Sequence, residues 1–453
     1  MASTLMKSVS GIRGIVGDSM TPDLVVRVAG AFARYCKYGT VVVGRDTRIT
    51  GGMIENMFES TLALSGCRVI RLGIVPTPTV QIMVEEMRAS GGVVISASHN
   101  PIEWNAFKLI SAKGTFLNQA EMNAFLATID SQHPAARWNK IGAIEENNNA
   151  DAIHITRVLD TVNVKKIRGM RFRVALDPVG GAGAVITQKL LKELGCDIVP
   201  VNCEVTGTFP RGAEPLAANL ADLSRAVIES SVHVGFAQDP DADRLAIVDE
   251  QGRPIGEENT IALVVEHLLN KKPGRVVINL STTRAVDDIA AKYKSPLTRA
   301  KVGEINVVEE MRRGGARIGG EGNGGVISPE VHLGRDSLVG IGYILEMMAE
   351  RKAPVSGLVA ELPGYIMKKG KVKLGDGIDV TGTLEKIRRE FGNETISDID
   401  GLRIDFAYDA RFSGGWVHLR SSNTEPIFRI ITEGRDERHA SRIYKHFAGL
   451  FKK

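Results

Sequence analysis

Cysteine is scarce in this chain. Only Cys36, Cys67, Cys196 and Cys203 occur, far apart and never as a CxxC pair. That spacing excludes a disulfide framework and a structural zinc site, and leaves the buried, reduced thiols of a cytosolic protein. Long apolar runs are missing as well. No stretch approaches the roughly 20 apolar residues that span a bilayer. The segment Met1–Lys7 lacks the continuous apolar core of a secretory signal. A cytoplasmic chain with no membrane partner is expected. Nor is charge of one sign in excess: 57 Lys and Arg stand against 53 Asp and Glu, a net charge of +4. This is too little for a nucleic-acid surface built on phosphate neutralisation, although a few basic clusters facing a small phosphate ligand would fit it. An apolar fraction of 43% and a charged fraction of 24% exclude disorder as the main state.

What the sequence does hold is an alternation of strand and helix patterns. The 453 residues suggest two to four domains. The β-branched run Val41–Val43 is followed by helical spacing over Met53–Leu64, strand at Arg68–Leu72, helix at Val80–Met87 and strand at Gly92–Ser96. The same grammar restarts near Phe172 and near Arg275. Such alternation predicts α/β units with mixed, mostly parallel sheets and helices on both faces. Chemistry in these folds sits at the carboxyl ends of strands. After Pro354–Lys371 the order changes to a helix over Thr381–Phe391, several strands and a last helix, which predicts a C-terminal α+β domain. Polar stretches at Glu145–Asp151 and Gln251–Glu258 mark the other boundaries, so the expected units are 1–150, 151–255, 256–363 and 364–453. The cluster Lys368, Lys369, Lys371, Lys373 reads as a solvated strand face.

Four loops carry chemistry. The first, Ser96-Ala97-Ser98-His99-Asn100-Pro101, follows the strand GGVVI. A serine on a tight turn at a strand end suits a nucleophile or phosphate carrier, with His99 to orient or deprotonate it. Lys108, ten residues on in an apolar strand, is expected to have a lowered pKa and to serve as acid or base. Taken alone, the loop is equally well an ST or Asx turn. The second loop, Asp239-Pro240-Asp241-Ala242-Asp243-Arg244, packs three carboxylates at spacing two. Their repulsion calls for a hard cation such as Mg²⁺. It is not an EF-hand, because Leu245 and Gln251 stand where Gly and Glu are required. The third, Gly319–Gly325, permits close backbone approach to a ligand, and Glu321 and Asn323 are suited to sugar hydroxyls. The fourth, Arg420-Ser421-Ser422-Asn423-Thr424-Glu425-Pro426 with Arg429, reads as an anion nest between two arginines. The segments around Arg13 and Arg45–Arg48 add cations beside turns, either converging on a phosphate or forming ordinary surface ion pairs.

Together these loops resemble the α-D-phosphohexomutase superfamily of phosphoglucomutases, phosphomannomutases and phosphoglucosamine mutases, over nearly the whole chain. SGIRG, SASHNPIEWNAFKL and GGEGNGGV followed by GRD are most similar to a bacterial phosphoglucosamine mutase branch. The resemblance implies four domains around a central cleft: a phosphoserine domain, a metal-binding domain, a sugar-recognition domain and a phosphate-binding C-terminal domain. It implies a phosphoryl group carried on Ser98, and Mg²⁺ held by Asp239, Asp241, Asp243 and the Ser98 phosphate. Arg244 lies beside that phosphate, with Lys108, His99 and Arg13 as acid/base, orienting and supporting groups. Glu321 and Asn323 recognise the sugar; Arg420, Ser422, Asn423, Thr424 and Arg429 grip the distal phosphate. The implied reaction moves phosphate between the 6- and 1-positions of a hexose phosphate through a hexose 1,6-bisphosphate, which also primes the enzyme. Glucosamine 6-phosphate is the favoured substrate and mannose or glucose phosphates the alternatives, in a monomer or homodimer. One departure stands out. Many mutases read GE-x-S-G-H in the third loop, where Asn323 replaces Ser and Gly325 replaces His; His332 or Arg335 is the candidate for the missing donor. Two other readings leave more unexplained: a DxD glycosyltransferase ignores the first and fourth loops, and a non-catalytic sugar-phosphate sensor has no use for a phosphoryl carrier.

Overall fold

The computed structural model describes residues 4–373, 379–421 and 427–451. They form four sheets in succession along the chain, with fifteen α-helices among the described residues. The first sheet has seven strands, in the spatial order Met6–Ser8, Gly11–Ile15, Trp104–Ser111, Gly91–Ile95, Thr40–Arg45, Arg68–Ile74 and Ile144–Glu146. Thr40–Arg45 is parallel to both neighbours, and its Val41, Val42 and Val43 are fully buried. A continuous β-branched run is what a strand covered on both faces requires.

The second and third sheets share one plan. In the second, Asp197–Pro200, Arg173–Asp177 and Val234–Gln238 are parallel, and Leu245–Val248 returns antiparallel. In the third, Leu297–Ala300, Val276–Asn279 and Ile318–Glu321 are parallel, and Gly325–Ile327 returns antiparallel. The first sheet does the same where Gly91–Ile95 turns back as Trp104–Ser111. In each case the connection between the paired strands is one of the loops singled out from the sequence. Both ends of each loop are therefore fixed in a sheet.

The cores do not follow the sheets one for one. The largest runs without a break from Val174, Leu176 and Phe236 of the second sheet to Val276, Ile278 and Ile318 of the third. Helix Ser337–Arg351 is buried on nearly all sides within it and packs on helices Ala150–Leu159 and Val164–Met170. A helix apolar all round belongs in the interior of a large body.

The last sheet is wholly antiparallel, in the order Ile366–Lys373, Ile427–Gly434, Trp416–Ser421, Leu402–Asp405 and Thr395–Ser397, covered by helices Val380–Glu390 and Glu437–Leu450. Its core, from Val372 to Phe451, contains no residue of the other three sheets. The lysine cluster lies on an eight-residue edge strand, where lysines discourage further pairing. One sequence expectation is corrected here: the face is not purely solvated, because Lys369 Nζ pairs with Glu257 (2.5 Å) and Glu258 (2.9 Å) of the third unit. No helix among the described residues is long and apolar enough to cross a membrane.

Glu346 on the buried helix 337–351 accepts from His267 Nε2 (2.7 Å) and the Asn163 amide (2.8 Å), and pairs with Lys271 Nζ (2.7 Å). Burial alone would raise its pKa, but these donors outweigh burial and lower it to about 2. A depressed carboxylate contributes stability above its unfolded pKa and loses it as pH falls through the folded one. Glu346 is expected to contribute ~3 kcal/mol at neutral pH, lost between about pH 4.5 and 2. Chemical denaturation of Glu346→Gln should show a correspondingly flatter stability profile across that window. An unchanged profile contradicts the assignment.

Candidate active site

Ser98 is buried at the start of the first hairpin loop, with φ +50°, a left-handed conformation that a non-glycine residue adopts only under constraint. The constraint is visible. Ser98 N–H donates to Ser96 Oγ (2.9 Å), and Ser96 Oγ donates to Asp46 Oδ2 (2.6 Å). Arg48 is fully buried beneath the loop. It donates to the carbonyls of Ser98 (2.6 Å), Asn100 (2.8 Å), Pro101 (2.5 Å) and Trp104 (3.0 Å), while its Nε pairs with Asp46 (3.0 Å). Arg48 thus neither faces a phosphate nor forms a surface ion pair, as the sequence suggested. It holds the loop that carries Ser98.

The second hairpin loop brings its carboxylates to the same place. Asp239, Asp241 and Asp243 are each completely buried, and one oxygen of each lies within 4.8 Å of the others. Ser98 Oγ donates to Asp239 Oδ2 at 2.9 Å. Asp239 Oδ1 also accepts the amides of Asp243 and Arg244, both at 3.1 Å, which folds the loop around it. Ala242, at φ +53°, completes the turn. From behind, the Ala182 amide donates to Pro240 O (2.7 Å).

Each carboxylate meets different company. Asp241 accepts from Lys108 Nζ (2.5 Å) and from Thr77 Oγ1, and its carbonyl accepts the Thr77 amide (3.0 Å). Asp243 pairs with Arg335 Nη2 (2.5 Å), with Lys108 Nζ at 3.6 Å. Burial pushes all three carboxyls upward. Lys108 with the Thr77 and Ser98 hydroxyls outweighs this at Asp241, and Arg335, Lys108 and Arg244 together outweigh it at Asp243, so both lie below the usual range; Asp239, buried next to the other two carboxylates, lies well above it. Lys108 corrects another expectation. Burial does lower its pKa, but Asp241 and Asp243 outweigh burial and the net direction is upward, so it is an ammonium at neutral pH. The sequence reading saw only apolar neighbours along the strand; the partners are more than 130 residues away.

The fit to a cation rests on this geometry. Asp241 Oδ1 and Asp243 Oδ1 are buried and accept no hydrogen bond. Unpaired buried carboxylate oxygens are costly unless a cation meets them, and an all-oxygen donor set suits Mg²⁺.

On the other side of Ser98 lie His99, Arg13 and Arg244. His99 Nδ1 is 3.4 Å from Ser98 Oγ. Its pKa lies well below the usual value because of Arg244, burial and Arg13, which leaves a neutral imidazole. Arg13 donates to Asn100 Oδ1 (2.8 Å); burial lowers its pKa to about 10. Arg244 Nη1 pairs with Glu214 (2.8 Å).

The third hairpin loop closes the group. Glu321 is buried; its Oε1 accepts from Asn279 Nδ2 (2.7 Å) and the Gly303 amide (2.9 Å), and its Oε2 pairs with Arg335 Nη1 (2.8 Å). Asn323 Oδ1 caps the turn through the Gly325 amide (3.2 Å). The Leu245 amide donates to Gly324 O (2.9 Å), tying this loop to the cation loop. Of the two candidate donors, Arg335 is in the site. His332 lies behind it, with Nε2 3.3 Å from Gln81 Oε1, which in turn contacts Glu304 through its Nε2, and burial lowers the His332 pKa to about 4. In the fourth unit, Arg420 and Arg429 face each other across paired strands, and Arg420 Nη2 is 3.7 Å from Asp400. Ser422, Asn423 and Thr424 lie outside the described residues. Sequence reasoning missed Thr77, Gln81 and Glu304. Thr77 had a usable signal: it opens a helix at the carboxyl end of strand Arg68–Ile74.

Four family models match in sequence order: phosphoglucomutase/phosphomannomutase α/β/α domains I, II and III over residues 5–135, 152–252 and 257–365, and the C-terminal domain over residues 371–450. The chain belongs to the phosphoglucomutase/phosphomannomutase family. Among its relatives is a Methanopyrus kandleri protein named "Probable phosphoglucosamine mutase", 33% identical over 448 residues, covering 98% of this chain and 97% of the relative. Another is a "Phosphoglucomutase/phosphomannomutase" of Thermococcus kodakarensis, 36% identical over 442 residues, covering 95% and 94%. The crystal structure of a phosphoglucomutase/phosphomannomutase family protein from Burkholderia thailandensis has the same fold, with a TM-score of 0.85 at 24% identity over 99% of this chain and 98% of that one.

Within this family fold, Arg48 is the residue whose removal should disturb the Ser98 loop most. Arg48→Met strands a buried Asp46 and four carbonyls, and is expected to cost about 3–5 kcal/mol. Urea unfolding measures it; a loss below about 1 kcal/mol excludes the clamp.

Proposed function

We propose that this chain is a phosphohexomutase that moves a phosphoryl group between the 6- and 1-positions of a hexose phosphate, with glucosamine 6-phosphate to glucosamine 1-phosphate as the preferred conversion. The observation that carries this is the 2.9 Å approach of Ser98 Oγ to Asp239 within a buried aspartate trio. A phosphoryl carrier, a cation site and a sugar-facing carboxylate converge from three sheets.

In this reading Ser98 Oγ carries the phosphoryl group. It gives that group to the free hydroxyl of a bound hexose monophosphate, forming a bisphosphate; the other phosphate then returns to Ser98. A Mg²⁺ ion held by Asp239, Asp241, Asp243 and the Ser98 phosphate supplies charge neutralisation for the transferring group. His99, neutral and next to Ser98, is placed to take the proton of the attacking hydroxyl. Lys108, an ammonium beside Asp241, is placed to favour departure of the serine oxygen. Arg244 and Arg13 offset charge on the moving phosphoryl group. Glu321 and Asn323 read the sugar hydroxyls, and Arg420 and Arg429, with the segment 422–424, bind the phosphate that is not transferred. The fourth unit suits a lid. Its core is its own, and its junction with the third is largely polar: Ser281 with His418 (2.9 Å), the Arg284 amide with Glu433 (2.8 Å) and the Val302 amide with Asp400 (3.0 Å). Closure of such a lid keeps water from a bisphosphate that must turn over before the return step.

The test is a coupled assay with Mg²⁺ and a hexose bisphosphate primer, comparing glucosamine 6-phosphate, mannose 1-phosphate and glucose 1-phosphate. Turnover of all three is expected, fastest with the glucosamine phosphate; inactivity on all of them refutes the mutase. Incubation with the bisphosphate should add one phosphate to the intact mass of the wild type and none to that of Ser98→Ala. Asp241→Asn should lower kcat at least about 100-fold, as loss of a charge-stabilising group commonly does. Wild-type turnover in that variant removes Asp241 from the cation site.

A further inference from the structure

The third loop has no side chain at Gly325, and the structure shows what occupies the space. A Cβ at Gly325 would lie 2.3 Å from Arg335 Cδ and 3.0 Å from its Cγ. The stem of Arg335 therefore runs through the volume that a residue-325 side chain would fill. Its guanidinium then meets three carboxylates from different places: Asp243 of the cation loop (2.5 Å), Glu321 of the sugar loop (2.8 Å) and Glu304 at the start of helix Glu304–Gly314 (3.2 Å). Arg335 is nine-tenths buried, so these pairs are weakly screened.

The backbone behind it is fixed. Asp336 donates its amide to Val326 O (2.8 Å), caps helix 337–351 through the Leu338 amide (2.8 Å) and accepts from His154 Nε2 (2.8 Å). Ser337 Oγ donates to Ala242 O (2.6 Å) in the cation loop. Two residues flanking Asp336 thus grip two consecutive residues of the cation loop: Ser337 holds Ala242 and Arg335 holds Asp243.

We infer that Arg335 is a positioning residue that locks the sugar-reading carboxylate Glu321 and the cation ligand Asp243 into one geometry, replacing a side chain at position 325 with one delivered from ten residues downstream. The inference rests on the mutase reading of the site. One guanidinium bonded to both carboxylates makes sugar recognition and cation binding depend on the same group. Disturbing it moves both together, and the planar fork, not charge alone, sets the geometry.

Two variants test this through independent routes. Arg335→Met removes the guanidinium. Gly325→Ala leaves every charge in place but displaces the arginine stem, at a position whose backbone accepts alanine because its φ is not positive. Steady-state assays should vary hexose phosphate and Mg²⁺ separately, calorimetric titration should read Mg²⁺ binding to the resting enzyme without turnover, and circular dichroism and thermal melts should record the fold. Both variants are expected to raise KM for the hexose phosphate and the half-saturating Mg²⁺ concentration by about 10-fold or more, with a smaller fall in kcat at saturation of both. Arg335→Lys should recover only part of the loss. The double variant should be little worse than Arg335→Met alone, since the main clash of the new Cβ is with the arginine stem and its approach to Asn323 Oδ1 (3.1 Å) is the milder one. If Arg335→Met does not fold, Gly325→Ala decides alone. The inference is overturned if a folded variant shows KM and Mg²⁺ dependence within twofold of wild type, or if the two substitutions add independently. Should the wild type turn over no hexose phosphate at all, the mutase reading itself fails, and this inference with it.

Discussion

Three carboxylates buried within 4.8 Å of one another set the terms for this molecule. At an effective dielectric of about 20, each ionised pair at that distance repels by roughly 3 kcal/mol. Ionising all three at once would approach the whole stability of a typical domain, and Asp239 is accordingly held well above the usual carboxylate range. Positive charge must be brought to them, and no single unit supplies enough. Lys108 comes from the first sheet, Arg244 from the second loop itself and Arg335 from the segment after the third sheet. Charge compensation therefore depends on assembly. Apolar cores shared between the second and third units and between the first and third hold the units together, and that docking brings the cations to the cluster.

The same repulsion explains why the site was legible in the sequence, and where that legibility ended. A DxDxD loop at a strand end concentrates repulsion that a cation relieves, so its composition and its address together pointed to chemistry. The Ser98 and Glu321 loops were legible for a topological reason. Each connects a parallel strand to an antiparallel return, and the strand patterns on both sides could be read. Long-range consequences could not. Lys108 looked like a lysine in an apolar strand until Asp241 was placed beside it. Arg48 looked like a turn residue until four carbonyls of the Ser98 loop were found around it. The helix Ser337–Arg351, the core shared by the second and third units and the pairing of Lys369 with Glu257 and Glu258 all depend on packing between segments far apart in sequence.

The repeated hairpin has a mechanical meaning. A loop leaving the carboxyl end of a parallel strand is normally tethered to the sheet at one end only. Here the chain returns at once as the neighbouring strand, so both ends are hydrogen-bonded into the sheet. Such a loop can be short, and a charge on it can be held at a fixed point. Ser98 and Ala242 sit in left-handed backbone conformations within these loops, and strain of that kind persists only when the surroundings over-determine it. Three fixed loops from three sheets then define one point in space without any long flexible segment.

A site made of three rigid loops raises a difficulty that the fourth unit answers. Moving phosphate between the two ends of a sugar requires the intermediate to turn around, yet the charges that stabilise transfer must not move. In this chain the two demands fall on different parts. The first three units share the buried cations and carboxylates, and the second and third share a core as well, so separating them would expose unpaired charge. The fourth has its own aromatic-rich core and meets the third largely through polar contacts such as Lys369 with Glu257 and Glu258. Polar contacts of that kind can be taken up by water when the surfaces part, which an apolar junction cannot do. On the proposed reading, in which the fourth unit holds the far phosphate, that unit is built to move while the charge around Ser98 stays in place.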